Sequence, residues 1–96
     1  MSYLYIISCK NQKPVKLGLS KNPLKRLKQL QTGSPNIYRI YYQEEIDDSC
    51  VFKAEKAIHA ILGHKRLKGE WFDISVEDAI AEVKFSVISN DYSKLY

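Results

Sequence analysis

Two short runs rich in aromatic and β-branched residues stand close together near the start of the chain. Tyr3 to Ser8 reads as one strand, and Val15 to Leu19, with Pro14 at its entry, as a second. The polar segment Cys9 to Lys13 between them suits a turn, and this spacing makes the pair a hairpin. Gly18, late in the second run, marks either a bulge or a close approach of another group to the backbone. A helix start follows at once in Ser20-Lys21-Asn22-Pro23. Asn22 can cap the first turn, and Pro23 fits the first helical position, where a missing N–H costs nothing. Leu24, Leu27 and Leu30 give that helix an apolar stripe, and Gly33 followed by Pro35 stops it.

The remaining elements follow the same rules. Ile37 to Gln43 is a third strand, and Glu44 to Asp48 an acidic connection. A second helix begins near Ser49, with Asp48 or Ser49 as its cap. Val51, Ala54, Ile58, Ile61 and Leu62 form its apolar stripe. Glu55 lies about 20° from Leu62 around the helix and His59 about 20° from Phe52, so both polar side chains lean inward. They are four residues apart and neighbours on one face. An inward carboxylate needs a metal ion, a basic partner or a cleft, because burying an unpaired charge is costly. Gly63 to Gly69 is a basic loop, and Gly69 to Ile74 a short extended piece anchored by Trp71. Ser75-x-x-Asp78 resembles a capping box. Val76, Ala79, Ile80, Val83 and Val87 place a third helix over about 76–89, and the polar tail beyond Ser89 is expected to fray. The order β-β-α-β-α-extended-α specifies a single α/β sandwich domain over residues 1–96, with a small, mainly antiparallel three-stranded sheet flanked by helices.

Charge is distributed unevenly along this order. Residues 1–43 contain eight of the 15 basic residues and none of the 11 acids. All the acids begin at Glu44, so a +8 segment precedes a −4 segment. A solvated lysine surface is the plain reading of such a segment. The complete absence of acid favours a polyanion partner, with Lys13, Lys21, Lys25 and Lys28 as its contacts. On the first helix Lys25, Lys28 and Gln29 occupy the polar face. Arg26, about 40° from Leu30, sits beside the apolar stripe, where packing can hold it over the sheet. No run approaches membrane-spanning length, and the N-terminus has no signal-peptide pattern. Cys9 and Cys50 are distant and unpaired in spacing, which fits a reduced, cytoplasmic protein. With His59 and His64 they lack the paired spacing of a structural zinc site.

Taken together, Y-L-Y-I-I, V-K-L-G-L-S-x-N-P-x-K-R-L-K-Q-L, A-E-x-x-x-H and G-E-W-F resemble a GIY-YIG nuclease domain. The likeness is closest to the phage-type T5orf172, or meiotically up-regulated gene 113, branch, and it covers about residues 3–74. On this resemblance the first motif's tyrosine falls on Tyr5, the second motif's glycine on Gly18, the helix arginine on Arg26, the glutamate on Glu55 and a branch-typical histidine on His59. Lys16 stands where the second motif usually has its leading tyrosine. Leu30 stands where many members have a histidine.

The resemblance implies hydrolysis of DNA phosphodiesters, with RNA also open, using one divalent ion, Mg²⁺ or Mn²⁺, held by Glu55. Arg26 would grip phosphate oxygens through its fork. Tyr5 would activate or orient the attacking water. Lys16 would stabilise developing negative charge or depress the pKa of Tyr5, and His59 would relay a proton or orient Glu55. Each has a structural rival. Tyr5 can be a core strand residue, Arg26 a salt-bridge partner of Glu55, and His59 an interior histidine bonded to backbone. Glu70 and Trp71 read as a structural lock with the indole against a helix, and a place at the site's border stays open. A non-catalytic nucleic-acid-binding or protein-interaction module on the same fold is the alternative to an enzyme, and an accessory factor acting through a partner is a third reading. A domain this small carries no separate sequence reader, so strong sequence preference would require a homodimer or a protein partner.

Overall fold

The computed structural model describes residues 1–90. The tail for which fraying is expected lies outside the described residues. Two strands, β1 (Ser2–Ser8) and β2 (Val15–Ser20), form the expected hairpin, with Tyr5 opposite Gly18 and Ile7 opposite Lys16. Helix α1 (Pro23–Gln31) follows, then β3 (Arg39–Ile46), helix α2 (Val51–Leu62) and a single 3-10 turn. Two short strands, β4 (Arg66–Lys68) and β5 (Trp71–Phe72), precede helix α3 (Val76–Asn90).

The sheet therefore has five strands rather than three, in the order β3-β1-β2-β5-β4, and every pairing is antiparallel. The added edge is a hairpin of minimal length. Phe72 pairs with Val15 and Trp71 with Lys16, and the Leu17 amide donates to the Glu70 carbonyl at 3.0 Å. The third strand also differs from expectation. It starts at Arg39 and runs through Glu44 and Glu45 to Ile46, which is fully buried opposite Ser2. Burial of Ile46 extends the pairing through what reads as an acidic connection, and the charges remain on an edge strand, where they hinder edge-to-edge association. Ile37 falls before the strand and is 75% exposed.

Alternation along β1 divides the molecule into two layers. Leu4 and Ile6, with Val15, Leu17 and Phe72, face α2 and α3, packing against Ala54, Ile58, Leu62, Ala79, Val83 and Val87. Each Val, Leu, Ile or Phe among them contributes about 1.5–3 kcal/mol when taken from water. Tyr5 and Ile7 point to the opposite face, where they too are fully buried, and α1 packs against the sheet.

The helices confirm some local signals and correct others. Asn22 Oδ1 accepts from the Lys25 amide at 3.1 Å, with Pro23 in the first turn. Gly33, at φ +76°, follows the helix end, a backbone conformation that favours glycine. The α1 leucine stripe is shallower than expected. Leu24 is 55% exposed, Leu27 and Leu30 are half-buried, and Pro23 is the buried residue, so α1 docks by its first turn. Ser75 Oγ accepts from the Asp78 amide, giving α3 its cap. Helix α2 begins at Cys50 without a side-chain cap. Asp48 cannot serve because its carboxylate is held elsewhere, accepting from Ser2 Oγ at 2.8 Å and pairing with Lys21 and the chain's amino terminus. Asp47 instead accepts from the Ser49 amide and hydroxyl, and these bonds hold its pKa below the usual carboxylate value. Among the described residues no helix is long and apolar enough to cross a membrane.

Candidate functional site

Tyr5 sits at the centre of the site because β1 is the middle strand of the layer that α1 covers. Its ring is fully buried. Its partner across the hairpin is Gly18, and the reason for glycine is direct. A Cβ there would lie 2.6 Å from the Tyr5 hydroxyl and 2.9 Å from Glu70 Oε1. Real Cβ contacts do not come that close, so the close-approach reading of Gly18 holds.

The guanidinium of Arg26, one turn into α1, lies close enough to this hydroxyl to stabilise its ionised form, but the buried hydroxyl has no formed hydrogen bond. Burial outweighs it and pushes the phenol's pKa up, with Glu70 adding in the same direction. Tyr5 is therefore a neutral phenol at physiological pH. The contact with Tyr5 also raises the pKa of Arg26. Among the described residues Arg26 makes no salt bridge with Glu55.

Lys16 is not among the groups that shift the Tyr5 pKa. It is on the same face two residues from Gly18, yet its ammonium pairs with Glu70 Oε1 at 3.2 Å and lies 5.8 Å from the centre of the Trp71 ring. That ring packs against Tyr38, with centroids 5.8 Å apart. β5 thus holds the indole beside Lys16, and the turn just before it presents Glu70.

The second half of the site comes from α2. Glu55 and His59 are both half-buried, one turn apart, and Glu70 faces them from the β4–β5 hairpin. Ligand-capable atoms of the three residues lie within 4.8 Å of one another. Burial raises the Glu55 pKa most. The neighbouring Glu70 charge raises it further, His59 opposes, and a hydrogen bond with Glu70 adds to the rise. Two carboxylates this close cannot both ionise freely unless a cation joins them. The His59 ring is fixed edge-on to Phe72, at 5.1 Å between centroids. Its Nε2 is buried without a hydrogen-bond partner. Paired oxygens with a buried, unsatisfied nitrogen suit a divalent cation. The carboxylates favour Mg²⁺ or Mn²⁺, and an imidazole ligand shifts the preference toward the transition metal.

Glu70 joins the two halves. With Glu55 and His59 it lines an open cleft that also includes Phe52, Lys56 and Arg66. Its ion-pair partner Lys16 lines a second hollow with Arg26 and Gln29. The residues that could hold a metal ion are therefore Glu55, His59 and Glu70, where sequence points to Glu55 alone. The G-E-W-F motif holds the missing residue, but nothing local shows that a hairpin carries it to α2. The four lysines expected to contact a polyanion are dispersed. Lys13 pairs with Asp73 and Lys21 with Asp48, whereas Lys25 and Lys28 are exposed on α1.

A family model, that of the T5orf172 domain, matches residues 2–87 of this chain. No curated protein and no solved structure matches it.

Proposed function

Because the chain belongs to the T5orf172 domain family, which is associated with nuclease-like and DNA-binding modules, we propose that it is a metal-dependent endonuclease of GIY-YIG type, hydrolysing phosphodiester bonds of DNA. One observation carries this reading. A cation-suited cluster, Glu55, His59 and Glu70, is joined through the Lys16–Glu70 ion pair to a cationic hollow containing Arg26. A divalent ion bound there would polarise the phosphate and stabilise the leaving oxyanion.

The protein's own groups divide the remaining work. Arg26 presents two parallel donors to non-bridging phosphate oxygens. Lys16, once a phosphate competes with Glu70 for it, adds positive charge at the reacting centre. The Tyr5 hydroxyl, neutral because burial raises its pKa, orients a water by hydrogen bonding instead of acting as a ready phenolate base. Glu55, Glu70 and His59 are the groups suited to holding the ion, and the T-shaped contact with Phe72 keeps the imidazole in place. The non-catalytic module is the second reading. It draws on the Lys16–Glu70 pair, which is already satisfied without a ligand.

Incubating supercoiled plasmid with the protein in Mg²⁺ or Mn²⁺ separates the two. The wild type is expected to nick it, chelation to stop nicking, and Glu55→Ala to abolish nicking while retaining DNA binding. A wild type that binds DNA without metal-dependent nicking leaves only the module. Equal nicking by Glu55→Ala removes Glu55 from the site.

A further inference from the structure

Phe52 has no evident place in the fold. It stands near the start of α2 and is 81% exposed, beside a cleft whose other walls are mostly charged. It lines two hollows. One is the cleft of Glu55, His59 and Glu70, with Lys56 and Arg66 on its walls. The other is a shelf on which Leu19 and Val51 supply apolar surface and Ser20, Lys21 and Asp48 supply polar groups. An apolar floor with donors and acceptors around it matches a heteroaromatic base, which has a π-face and a hydrogen-bonding edge.

The spacing agrees with this chemistry. Phe52 and Glu55 are three residues apart on one helix, so their Cβ atoms are about 5–6 Å apart. A base on the ring and a phosphate at Glu55 can therefore belong to neighbouring parts of one strand. Lys56 and Arg66 supply the positive charge a strand entering this cleft would need.

We propose that Phe52 is a stacking platform for an unstacked nucleobase flanking the phosphate held at the Glu55 cleft. The substrate is then a single-stranded or frayed nucleic acid, because a base inside a continuous duplex has no free face to offer. This inference rests on the nuclease reading and specifies its substrate class.

The test uses the full chain as wild type, Phe52→Ala and Phe52→Trp, in Ca²⁺. Fluorescence anisotropy measures binding to a labelled single-stranded thymidine oligonucleotide and to an abasic strand of equal length. Phe52→Ala is expected to weaken binding of the base-bearing strand by about 5- to 140-fold, the usual range for one lost aromatic–base stack. Binding of the abasic strand should not change, and Phe52→Trp should restore the base-bearing strand. Equal losses on both strands, or no loss on either, overturn the stacking role while leaving the nuclease reading intact. A wild type that binds neither strand overturns the stacking role, and plasmid nicking in Mg²⁺ or Mn²⁺ then decides the nuclease reading separately. If sedimentation shows a dimer that becomes monomeric in Phe52→Ala with strand binding unchanged, the ring belongs to a second copy and the proposal fails.

Discussion

At the scale of single residues, Glu55 is the member of the candidate metal cluster whose charge the fold disfavours. Burial and the adjacent Glu70 charge lift its pKa above the ordinary glutamate value. In the metal-free folded protein it keeps its proton at a pH where the unfolded chain has lost it. The folded state then binds more protons than the unfolded state, so stability falls as pH rises from the unfolded pKa, about 4.3, through the raised folded one. Glu55→Gln preserves the shape and can still hydrogen-bond to Glu70, but it does not titrate. With chelator present, urea unfolding should show wild-type stability falling relative to Glu55→Gln across that window, leaving the variant more stable at pH 7. Mn²⁺ should reverse the order by stabilising the wild type alone, by about 2.7 kcal/mol at a hundred times its Kd. Parallel pH profiles in chelator would mean that Glu55 titrates normally and that the carboxylate contact with Glu70 is not formed in solution.

At the scale of elements, α1 depends on its cap more than on its apolar face. Its stripe is only half-buried, its buried residue is Pro23, and its first turn contains no acid to offset the helix dipole. Asn22→Ala should therefore cost about 1 kcal/mol, lowering Tm by roughly 4–8 °C for a domain this small. Amide exchange should accelerate in α1 before the β1–β2 hairpin. Asn22→Asp should restore Tm, because an aspartate caps equally well and adds a favourable charge at the helix N-terminus. If Asn22→Ala melts like the wild type, packing rather than the cap holds α1. This helix start is legible in the sequence because Asn22 and Pro23 act within one turn. The β4–β5 hairpin is not. β5 has only two residues, β4 is exposed throughout, and their place in the sheet depends on Val15 and Lys16, more than 50 residues away. The α2 cap is misread for the same reason, since Asp48 is drawn to Ser2, Lys21 and the amino terminus by contacts no local rule contains.

At the scale of the whole molecule, the +8 and −4 segments do not form two separate faces. Folding sets Asp48 against Lys21, Asp73 against Lys13 and Glu70 against Lys16, crossing the division in the sequence three times. The candidate site follows this pattern. Tyr5, Gly18 and Arg26 are legible from early motifs and Glu55 with His59 from one helix wheel, but Glu70 becomes visible only when the chain closes. The acid-free segment thus overstates the basic surface, and the pairs at Lys13 and Lys21 decide which lysines remain available. Exposed pairs are worth about 0–1 kcal/mol, so a phosphate can displace them, but each displacement returns part of the electrostatic gain. Lys25 and Lys28 have no such competitor among the described ion pairs. If α1 tracks a nucleic-acid backbone, Lys25→Ala and Lys28→Ala should each weaken binding similarly across base sequences. Each should also reduce the slope of log K against log salt by about 0.7 for a single strand. Lys13→Ala and Lys21→Ala should change the slope by less than half as much. A titration from low to high salt with all four variants ranks them directly. If Lys13 or Lys21 has the larger effect, the strand passes over the β2 side of the sheet, and α1 serves only to present Arg26.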